Sequence, residues 1–430
     1  MKFTAVGDAL IQRRIPEGFV GIREISEYIM KGDARFFNLE TTLNREGECC
    51  ASQFSGGTYV RTNPEALEDL KLYGFNMTNF NNNHTMDFSY GGMFRTLECL
   101  NASGLVHSGV GENLEAASAP RYLDTVNGRV ALISVCTSFE PSMMAGRQSR
   151  KYPGRPGVNG LRIDQVLDVS EADLKYIREL ENRLNLNAEE KNSRMQGYSP
   201  ELPEDLAELG DLKFRASDTV GVKRTVNGED MRRVLQSISE ANFQADYTII
   251  SLHTHQTDTI REELPPEFCV DFAHCCIDAG ANAVIGHGPH RLRPIEVYKD
   301  SPIFYSLGDF ILQLYSVESA PEDFFAQQGM TSDSTVYELL KKRSRGFKVG
   351  LMEKAVMNQS VIPLFEMSKD GKLKKLELLP ITLMKDGNKS ENGLPRIAKD
   401  VSFMKDFADI CMQYGVKIKP TEKGTFLCEW

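Results

Sequence analysis

The feature that most constrains this chain is a short apolar run that ends in residue types able to bind a metal ion. Five such runs occur, at 3–6, 34–37, 75–80, 247–250 and 283–285. Short β-rich runs bounded by Gly and Asn predict buried strands. Between them lie helical patterns at 21–31, 64–73, 91–103 and 266–279. This alternation predicts an α/β core with ligands gathered at the carboxyl ends of the strands.

The polar residues that follow these runs are candidate metal ligands: Asp8, Glu40, Asn83, His253, His287 and His290. Imidazole and carboxylate groups suit Mn, Zn or Fe, and an amide oxygen with a bridging carboxylate favours two divalent ions. His253 and His255 alternate along a strand, so we expect His255 to support a ligand or to be an extra one. Singly, each residue also fits a structural role, such as Asp8 as a helix N-cap. Their recurrence at five strand ends favours the metal site.

The chemistry expected of such a site is hydrolysis. Two ions about 3.5–4 Å apart would share a carboxylate and a hydroxide, and this metal-bound hydroxide would attack phosphorus or a carbonyl carbon. His84 is the candidate catalytic acid, because Asn83 beside it can hold a metal while His84 meets the substrate. The candidate substrate-binding residues are Arg291, Arg293, Arg147 and Arg150.

Composition limits the classes of partner. The chain has 430 residues, and its net charge of −10 argues against nucleic acid. An anionic substrate would have to be held locally, by metal ions or a few arginines. We see no signal-peptide pattern and no run of about 18 apolar residues, so we expect no membrane span. Nine cysteines without a CxxC pair are typical of reduced thiols, so we expect a cytoplasmic protein.

The expected organisation is a main domain at 1–315 and a C-terminal extension at 316–430 that packs on the core. A further core strand is predicted at 128–137. The pattern changes between 142 and 243, where a basic loop precedes charged helical and polar stretches. We interpret this interval as an insertion or lid.

Within the insertion, the sequence predicts helices near 170–195 and 228–241, with a polar stretch at 196–212 between them. Within the extension, it predicts an acidic, loop-rich segment up to 336, then a hairpin at 369–372 and a helix near 400–413.

Taken in order, these motifs resemble the capsule-synthesis protein CapA family, also called poly-γ-glutamate biosynthesis proteins, which is similar to the calcineurin-like metallophosphoesterases. The matching stretches are 7–8, 38–42, 82–87, 109–113, 128–134, 253–255, 286–290 and 305–310. The resemblance implies a four-layer α/β/β/α sandwich of the metallophosphatase type, with an inserted lid region and a two-metal centre at one sheet edge.

The resemblance also implies roles for the ligands. Glu40 would bridge the ions, Asp8 and His290 would bind one of them, and His84 would be the catalytic acid. The ligands of the other ion would be Asn83, His253 and His287. The departures from the pattern are Leu10 where phosphoesterases have His, Gly288 where many members have His, and Asp309 where many have Asn. His255 would compensate for lost ligands.

Three functions follow as hypotheses. The first is a metal-dependent hydrolase that cleaves a γ-glutamyl amide or a phosphoester in an anionic small molecule or glutamyl polymer. The second is a non-catalytic accessory protein that binds poly-γ-glutamate or assists its synthesis. The third is a structural metalloprotein, which would have a closed coordination shell.

Overall fold

The computed structural model describes residues 1–385 and 387–430. Within them, the helices are α1 (Val20–Ile29), α2 (Ala66–Lys71), α3 (Ser89–Ser103), α4 (Leu114–Ser118), α5 (Glu171–Leu184), α6 (Ala188–Met195), α7 (Gly228–Gln244), α8 (Glu267–Asp278), α9 (Glu322–Gln327), α10 (Val336–Arg343) and α11 (Phe403–Met412). None of them is both long and apolar enough to cross a bilayer.

The strands of the same residues are β1 (Lys2–Leu10), β2 (Ala34–Leu39), β3 (Thr42–Leu43), β4 (Arg61–Thr62), β5 (Met77–Asn79), β6 (Val106–Ser108), β7 (Val110–Gly111), β8 (Arg121–Thr125), β9 (Gly128–Cys136), β10 (Gly157–Val158), β11 (Ile163–Val169), β12 (Leu206–Leu209), β13 (Leu212–Ala216), β14 (Gly221–Val226), β15 (Tyr247–His253), β16 (Ala283–His287), β17 (Leu292–Tyr298), β18 (Ser301–Leu307), β19 (Asp309–Leu312), β20 (Gln359–Met367), β21 (Leu373–Leu383), β22 (Pro395–Ile397), β23 (Lys417–Pro420) and β24 (Phe426–Glu429). The chain is therefore a mixed α/β protein.

The larger sheet is built around β1. Its strand order is β23-β24-β21-β20-β1-β2-β5-β6, with β19 also pairing with β1 and β22 with β21. β1 pairs in parallel with β2 and β19, and antiparallel with β20. The extension predicted at 316–430 thus supplies β20 to β24 to this sheet, with the hairpin predicted at 369–372 joining β20 to β21.

The smaller sheet has the order β17-β18-β16-β15-β9-β8. Its central strands β9, β15, β16 and β18 are parallel, and β8 and β17 pair antiparallel at its two edges. The strand predicted at 128–137 is β9. Parallel pairing of β15 and β16 brings the carboxyl ends of both strands to the same edge of the sheet.

The two sheets share an apolar core. Phe3 and Phe36 of the larger sheet belong to the same buried cluster as Leu132, Ile249 and Ile285 of the smaller sheet. Successive side chains of a strand point to opposite faces. Burial of this inter-sheet cluster removes large apolar areas from water. Each Å² of apolar surface that is buried stabilises the fold by about 25 cal/mol.

The other face of the larger sheet packs with helices. Phe37, next to Phe36 in β2, belongs to a second buried cluster with Ile25 of α1, Leu70 of α2 and Leu100 of α3. On the smaller sheet, α8 contacts β16 and β18. The helices predicted at 21–31, 64–73, 91–103 and 266–279 are thus α1, α2, α3 and α8, and each packs its apolar stripe on a sheet.

Residues 162–231 form a separate compact unit, distinct from the unit made by residues 1–161 and 232–430. It contains α5, α6 and a sheet of order β12-β13-β11-β14. Leu174, Ala207 and Phe214 form its small core. The unit is narrower than the interval expected at 142–243. The single helix predicted near 170–195 is two helices, because Asn185 adopts a left-handed conformation (φ 51°) that ends α5.

Candidate metal centre

The register of the paired strands brings the polar residues at the strand ends next to one another within each sheet. In the larger sheet, Asp8 is paired with Asn38 on one side and with Asp309 on the other. In the smaller sheet, His253 is paired with His287. Ligand candidates that are far apart in the sequence therefore meet, as the strand-end pattern predicted.

The side chains at these ends form a buried cluster of imidazole and carboxylate groups. Nε2 of His253 lies 2.8 Å from Oδ1 of Asn83 and 3.6 Å from Oε1 of Glu40. Nδ1 of His287 lies 2.9 Å from Nδ1 of His253 and 3.6 Å from Oδ1 of Asp8. All five residues are buried, so these groups face one another without bulk water.

His290 lies in the same cluster, on the side of Asp8. Its Nδ1 is 2.8 Å from Oδ1 of Asp309, and ligand atoms of these two residues lie within 4.8 Å of those of Asp8 and Glu40. The backbone of His290 is left-handed, with φ 57°. A non-glycine residue in this region stores strain of about 1–3 kcal/mol, which is typical of functional sites. The predicted ligands therefore come together, and Asp309 joins them.

His255 also reaches the cluster. Its Nε2 lies 3.1 Å from Nε2 of His253 and 3.7 Å from Oε1 of Glu40. The side chain is 31% exposed, unlike the buried ring of His253. Although the two histidines alternate along the chain, β15 ends at His253, so His255 is free to turn back toward Glu40.

Glu40 gives the clearest physical sign of a missing partner. Both of its carboxyl oxygens are buried, and neither has a hydrogen-bond partner among residues 1–385 and 387–430. Burial, together with repulsion from Asp8 and Asp309, raises the pKa of Glu40 well above its usual range. Burial likewise raises the pKa of Asp8 to about 6. Such an arrangement of acids is unfavourable unless cations neutralise it.

The imidazoles complement these acids. Burial and repulsion among the rings lower the pKa values of His253 and His255 well below the ordinary value, and burial lowers the pKa of His287 to about 3. These three rings are therefore neutral at physiological pH, which is the form that binds metals. Burial also acts to lower the pKa of His290, but the charges of Asp309 and Asp8 and the hydrogen bond with Asp309 outweigh it and raise that pKa.

This donor set fits divalent metal ions. The groups with ligand atoms within 4.8 Å of one another are Asp8, His253 and His287; Glu40, His253 and His255; and Asp8, Glu40, His290 and Asp309. Neutral imidazoles and carboxylates are ligands of Zn, Mn and Fe, and the unpartnered Glu40 lies in two of the three groups. The buried residues could thus hold a metal.

A second polar unit, which we call the His84–Asp87 dyad, lies beside the cluster. Nδ1 of His84 is 2.7 Å from Oδ2 of Asp87, and both side chains are buried. Asp87 also accepts hydrogen bonds from the backbone N–H groups of Gly56 and Val60. These bonds fix the orientation of His84, since a carboxylate held by two amides cannot rotate away. Asp87 lies in the matching stretch 82–87, but no role in the site was predicted for it from the sequence.

His84 of the dyad and His290 of the cluster line one cavity of about 130 Å³. Its lining includes His84, His290 and the glycines Gly56 and Gly57, and also Leu10. A substrate in this cavity would therefore meet a candidate ligand and the imidazole of the dyad. Leu10, which replaces the expected histidine, contributes an apolar wall.

Gly288, the second departure from the expected pattern, is required by the backbone. It has φ 115°, and a Cβ there would lie 2.9 Å from the carbonyl oxygen of Thr254. Its N–H donates to Oδ2 of Asp8 at 2.9 Å. A histidine could replace Gly288 only if this loop moved, so the chain uses the position to orient Asp8 and not as a ligand.

The four arginines predicted to bind substrate are absent from the described lining of this cavity. Arg293 is buried and donates to the backbone carbonyls of Glu262 and Gln256, and Arg291 forms an ion pair with Glu262. The other two candidates, Arg147 and Arg150, are exposed. The described lining includes Arg343 instead.

The fold and the cluster define an α/β protein with a buried histidine- and carboxylate-rich site that could hold divalent metal ions. The family model described as bacterial capsule synthesis protein PGA_cap matches residues 2–314. The chain belongs to this family, as its resemblance to CapA proteins indicated.

Individual relatives agree with this assignment. The chain is 32% identical to the uncharacterized protein y4sH of Sinorhizobium fredii, over 96% of this chain and 90% of the relative. It is 22% identical to the capsule biosynthesis protein CapA of Bacillus anthracis, over 72% of this chain and 59% of that protein. It is 24% identical to the "Probable polyglutamine synthesis accessory protein MT0602" of Mycobacterium tuberculosis, over 65% of this chain and 55% of that protein.

Among solved structures, a hypothetical protein from Thermus thermophilus aligns with 92% of this chain and 96% of its own length. The TM-score is 0.36 and the sequence identity 12%. A likeness this distant carries no argument about fold or function.

Proposed function

We propose that this chain is a metal-dependent hydrolase of the four-layer α/β/β/α metallophosphatase type. Its substrate would be an anionic molecule that contains a γ-glutamyl amide or a phosphoester. The observation that carries the proposal is the His84–Asp87 dyad, which opens into the same cavity as His290 of the cluster. A binding protein has little use for a buried, carboxylate-oriented imidazole at that place.

The residues that would hold the ions are those that the family resemblance implies, with Asp309 added because it lies in one group with Asp8, Glu40 and His290. Glu40 would bridge two ions, with Asp8, His290 and Asp309 on one side. The ligands on the other side would be Asn83, His253 and His287, with His255 as an additional one. When bound, such ions supply Lewis-acid catalysis at the scissile bond.

The protein's own residues would hold the proton and deliver it to the leaving group. The bond from Nδ1 of His84 to Asp87 leaves Nε2 as the ring nitrogen that can protonate a leaving group. Asn83 is oriented as well, because its Nδ2 donates to the backbone oxygen of Gly56 at 3.0 Å while Oδ1 meets His253. Gly56 therefore contacts both Asn83, the candidate ligand, and Asp87, which orients the candidate acid His84.

The test combines elemental analysis with turnover. Wild type and His84→Gln would be purified without chelator and assayed with Mn²⁺ or Zn²⁺ on a phosphodiester and on γ-linked glutamate oligomers. We expect equal metal content and a loss of about 10²–10⁴-fold in kcat for His84→Gln, because only the proton donor is removed. Equal turnover of variant and wild type would exclude the proposed role of His84. The substrate that wild type cleaves would identify the bond class.

One observation favours a second candidate, a non-catalytic accessory protein that binds polyglutamate. Leu10 places an apolar side chain where a phosphoesterase has a histidine ligand, and it lines the cavity. The name of the Mycobacterium tuberculosis relative describes an accessory protein in polyglutamine synthesis. Binding of γ-linked oligomers with no turnover by the metal-loaded wild type would support this alternative.

A further inference from the structure

A second cavity, of about 430 Å³, lies next to the cavity of the candidate metal centre. The two cavities share the wall residues Tyr315, Leu340 and Met352. The described lining of the second cavity includes none of the candidate metal ligands and neither member of the His84–Asp87 dyad. The second cavity therefore has a chemistry of its own, which the proposed hydrolysis does not use.

Gln313 brings an unpaired hydrogen-bond donor to the second cavity. The residue is 1% exposed, and its Oε1 accepts from the backbone N–H groups of Gln12, at 2.9 Å, and Arg13, at 3.2 Å. Two donors that face the same atom fix the orientation of the amide, because an NH₂ group in that place would meet two N–H groups. The Nε2 atom is buried and has no hydrogen-bond partner among residues 1–385 and 387–430. Its missing partner is an acceptor.

Arg13 lines the same cavity and has a second unpaired donor, which is charged. Its Nη2 donates to the backbone oxygen of Lys389, and this contact orients the guanidinium. Its Nε is buried and has no partner in the part of the chain that the structure describes, and no carboxylate there forms an ion pair with it. Burial lowers the pKa of Arg13, and the charge of Glu318 only partly opposes this. Arg13 therefore lacks a counter-ion.

Asn392 supplies the complementary group, a buried acceptor. Its Oδ1 has no hydrogen-bond partner among the described residues. Its backbone N–H donates, at 3.4 Å, to the same Lys389 oxygen that Arg13 contacts. Since the N–H of Arg13 also donates to Gln313, the three residues with unpaired polar atoms are linked to one another at one cavity. Buried polar atoms are nearly always paired, so this set indicates a ligand with acceptors and one donor.

The remaining walls are apolar and partly aromatic. Phe347 meets Tyr315 edge-to-face, with ring centroids 5.3 Å apart, and lies 5.6 Å from Tyr337. Aliphatic side chains complete the wall: Val317, Val336, Leu340 and Met352. Water could pair the polar atoms but would leave these apolar surfaces wet. Aromatic rings that pack at angles to one another favour another flat ring beside them.

The charge of the lining selects among aromatic ligands. Two of its described residues, Arg13 and Lys389, are cationic, and none of them is acidic. A neutral ring would leave Arg13 without a counter-ion, which is costly for a partly buried charge. A carboxylate has two oxygens that can accept from a guanidinium and from the NH₂ group of an amide.

We propose that the second cavity is a binding site for a small aromatic carboxylate that also carries an N–H or O–H group. The carboxylate would accept from Nε of Arg13 and Nε2 of Gln313, and the N–H or O–H group would donate to Oδ1 of Asn392. The ring would lie against the aromatic wall. The site is separate from the candidate metal centre, and the inference does not depend on the proposed hydrolysis.

The experiment measures binding by calorimetry with the full chain, both metal-free and loaded with Mn²⁺. The probes are indole-3-carboxylate, 1-methylindole-3-carboxylate, which lacks the N–H donor, and indole-3-carboxamide, which lacks the charge. The variants are Arg13→Gln, Asn392→Leu and Arg14→Gln. Arg14 is the matched control, since it is the neighbouring arginine but is exposed, pairs with Asp69 and is absent from the described lining.

We expect wild type to bind indole-3-carboxylate equally with and without Mn²⁺. Arg13→Gln should weaken this binding at least about tenfold, and Arg14→Gln less than about twofold. Asn392→Leu should weaken binding of indole-3-carboxylate about threefold to tenfold and leave that of the 1-methyl compound unchanged. Leu has nearly the volume of Asn and replaces an unpaired acceptor, so this variant tests the site even if Arg13→Gln fails to fold.

Four results would overturn the inference. The first is no measurable binding of indole-3-carboxylate by wild type, which would mean that water alone fills the cavity. The second is equal losses in Arg13→Gln and Arg14→Gln, and the third is a carboxamide that binds as tightly as the carboxylate. The fourth is binding that requires Mn²⁺, which would place the ligand at the candidate metal centre instead.

Discussion

At the scale of single residues, Asp309 shows how the chain departs from the pattern it resembles. The family pattern described in the sequence analysis often has Asn at this position. Here a carboxylate accepts from Nδ1 of His290 through Oδ1, while its buried Oδ2 has no hydrogen-bond partner in the part of the chain that the structure describes. A histidine ligand is missing at Leu10 on the same strand as Asp8. In the proposed metal site, Oδ2 of Asp309 would replace it.

We therefore predict that Asp309→Asn weakens binding of one divalent ion by about 10–100-fold. The amide oxygen can still accept from His290, so the orientation of that ring is kept while the charge and the free oxygen are lost. Calorimetric titration of the metal-free chain with Mn²⁺ measures the change. Asp300→Asn, at an exposed carboxylate paired with Lys372, is the control. Unchanged affinity and stoichiometry in Asp309→Asn would show that Asp309 only orients His290.

Gly56 is a second residue whose role can be tested alone. An added Cβ would lie 2.6 Å from Nδ2 of Asn83 and 2.6 Å from Cε1 of His84. Both contacts are with side chains that must shift, so we predict that Gly56→Ala lowers turnover at least about tenfold while changing the unfolding temperature little. Gly221→Ala is the control, because no atom of the described residues lies within 4 Å of a Cβ there. A large loss of stability in Gly56→Ala, or unchanged turnover, would contradict this explanation.

At the scale of elements, β20 shows that residues beyond the family match complete the core. Phe365 of this strand stacks on Phe3 of β1, with ring centroids 5.0 Å apart, and is fully buried. We predict that Phe365→Ala lowers the free energy of unfolding by about 3–5 kcal/mol, measured by urea denaturation. Phe243, whose side chain is 91% exposed, gives the control variant Phe243→Ala with a change near zero. A small loss in Phe365→Ala would mean that the extension is not part of the folding core.

The elements that carry the site could be predicted because each contains a predominantly apolar run. The runs at 3–6 and 247–250 are β1 and β15, and their strands extend to the functional residues themselves. By contrast, β12 and β14 were not predicted. They are short, and β14 is largely exposed with charges at Lys223 and Arg224, so its sequence lacks the apolar alternation of a half-buried strand.

Only part of the candidate site could be predicted from the sequence, because some of its contacts join distant segments. Glu40 follows β2 and His287 ends β16, so both could be named from the sequence, since parallel strands end at one edge. The placement of Asp87 and Asp309 in the site depends on hydrogen bonds and strand register with distant segments. Asp309 meets Asp8 through the pairing of β1 with β19, which no local pattern encodes.

At the scale of the whole molecule, the cluster links metal binding to stability. An ion that binds the folded chain more tightly than the unfolded chain raises the unfolding temperature. It also needs its carboxylate ligands in the charged form. In the metal-free fold, burial raises the pKa of Asp8 to about 6 and that of Glu40 well above its usual range. Metal binding must therefore displace protons from these acids as the pH falls.

We predict that the rise in unfolding temperature caused by Mn²⁺ is largest at neutral pH and shrinks as the pH falls through about 6. His253, His255 and His287 do not change this sign, because their lowered pKa values keep them neutral with or without a metal. Protonated Asp8 and Glu40 meanwhile stabilise the metal-free fold, since their raised pKa values make the folded chain hold these protons more tightly than the unfolded chain. Thermal unfolding with and without Mn²⁺, across a pH series, measures the difference. A metal-induced increment that is constant or grows on acidification would show that the buried acids are not the ligands.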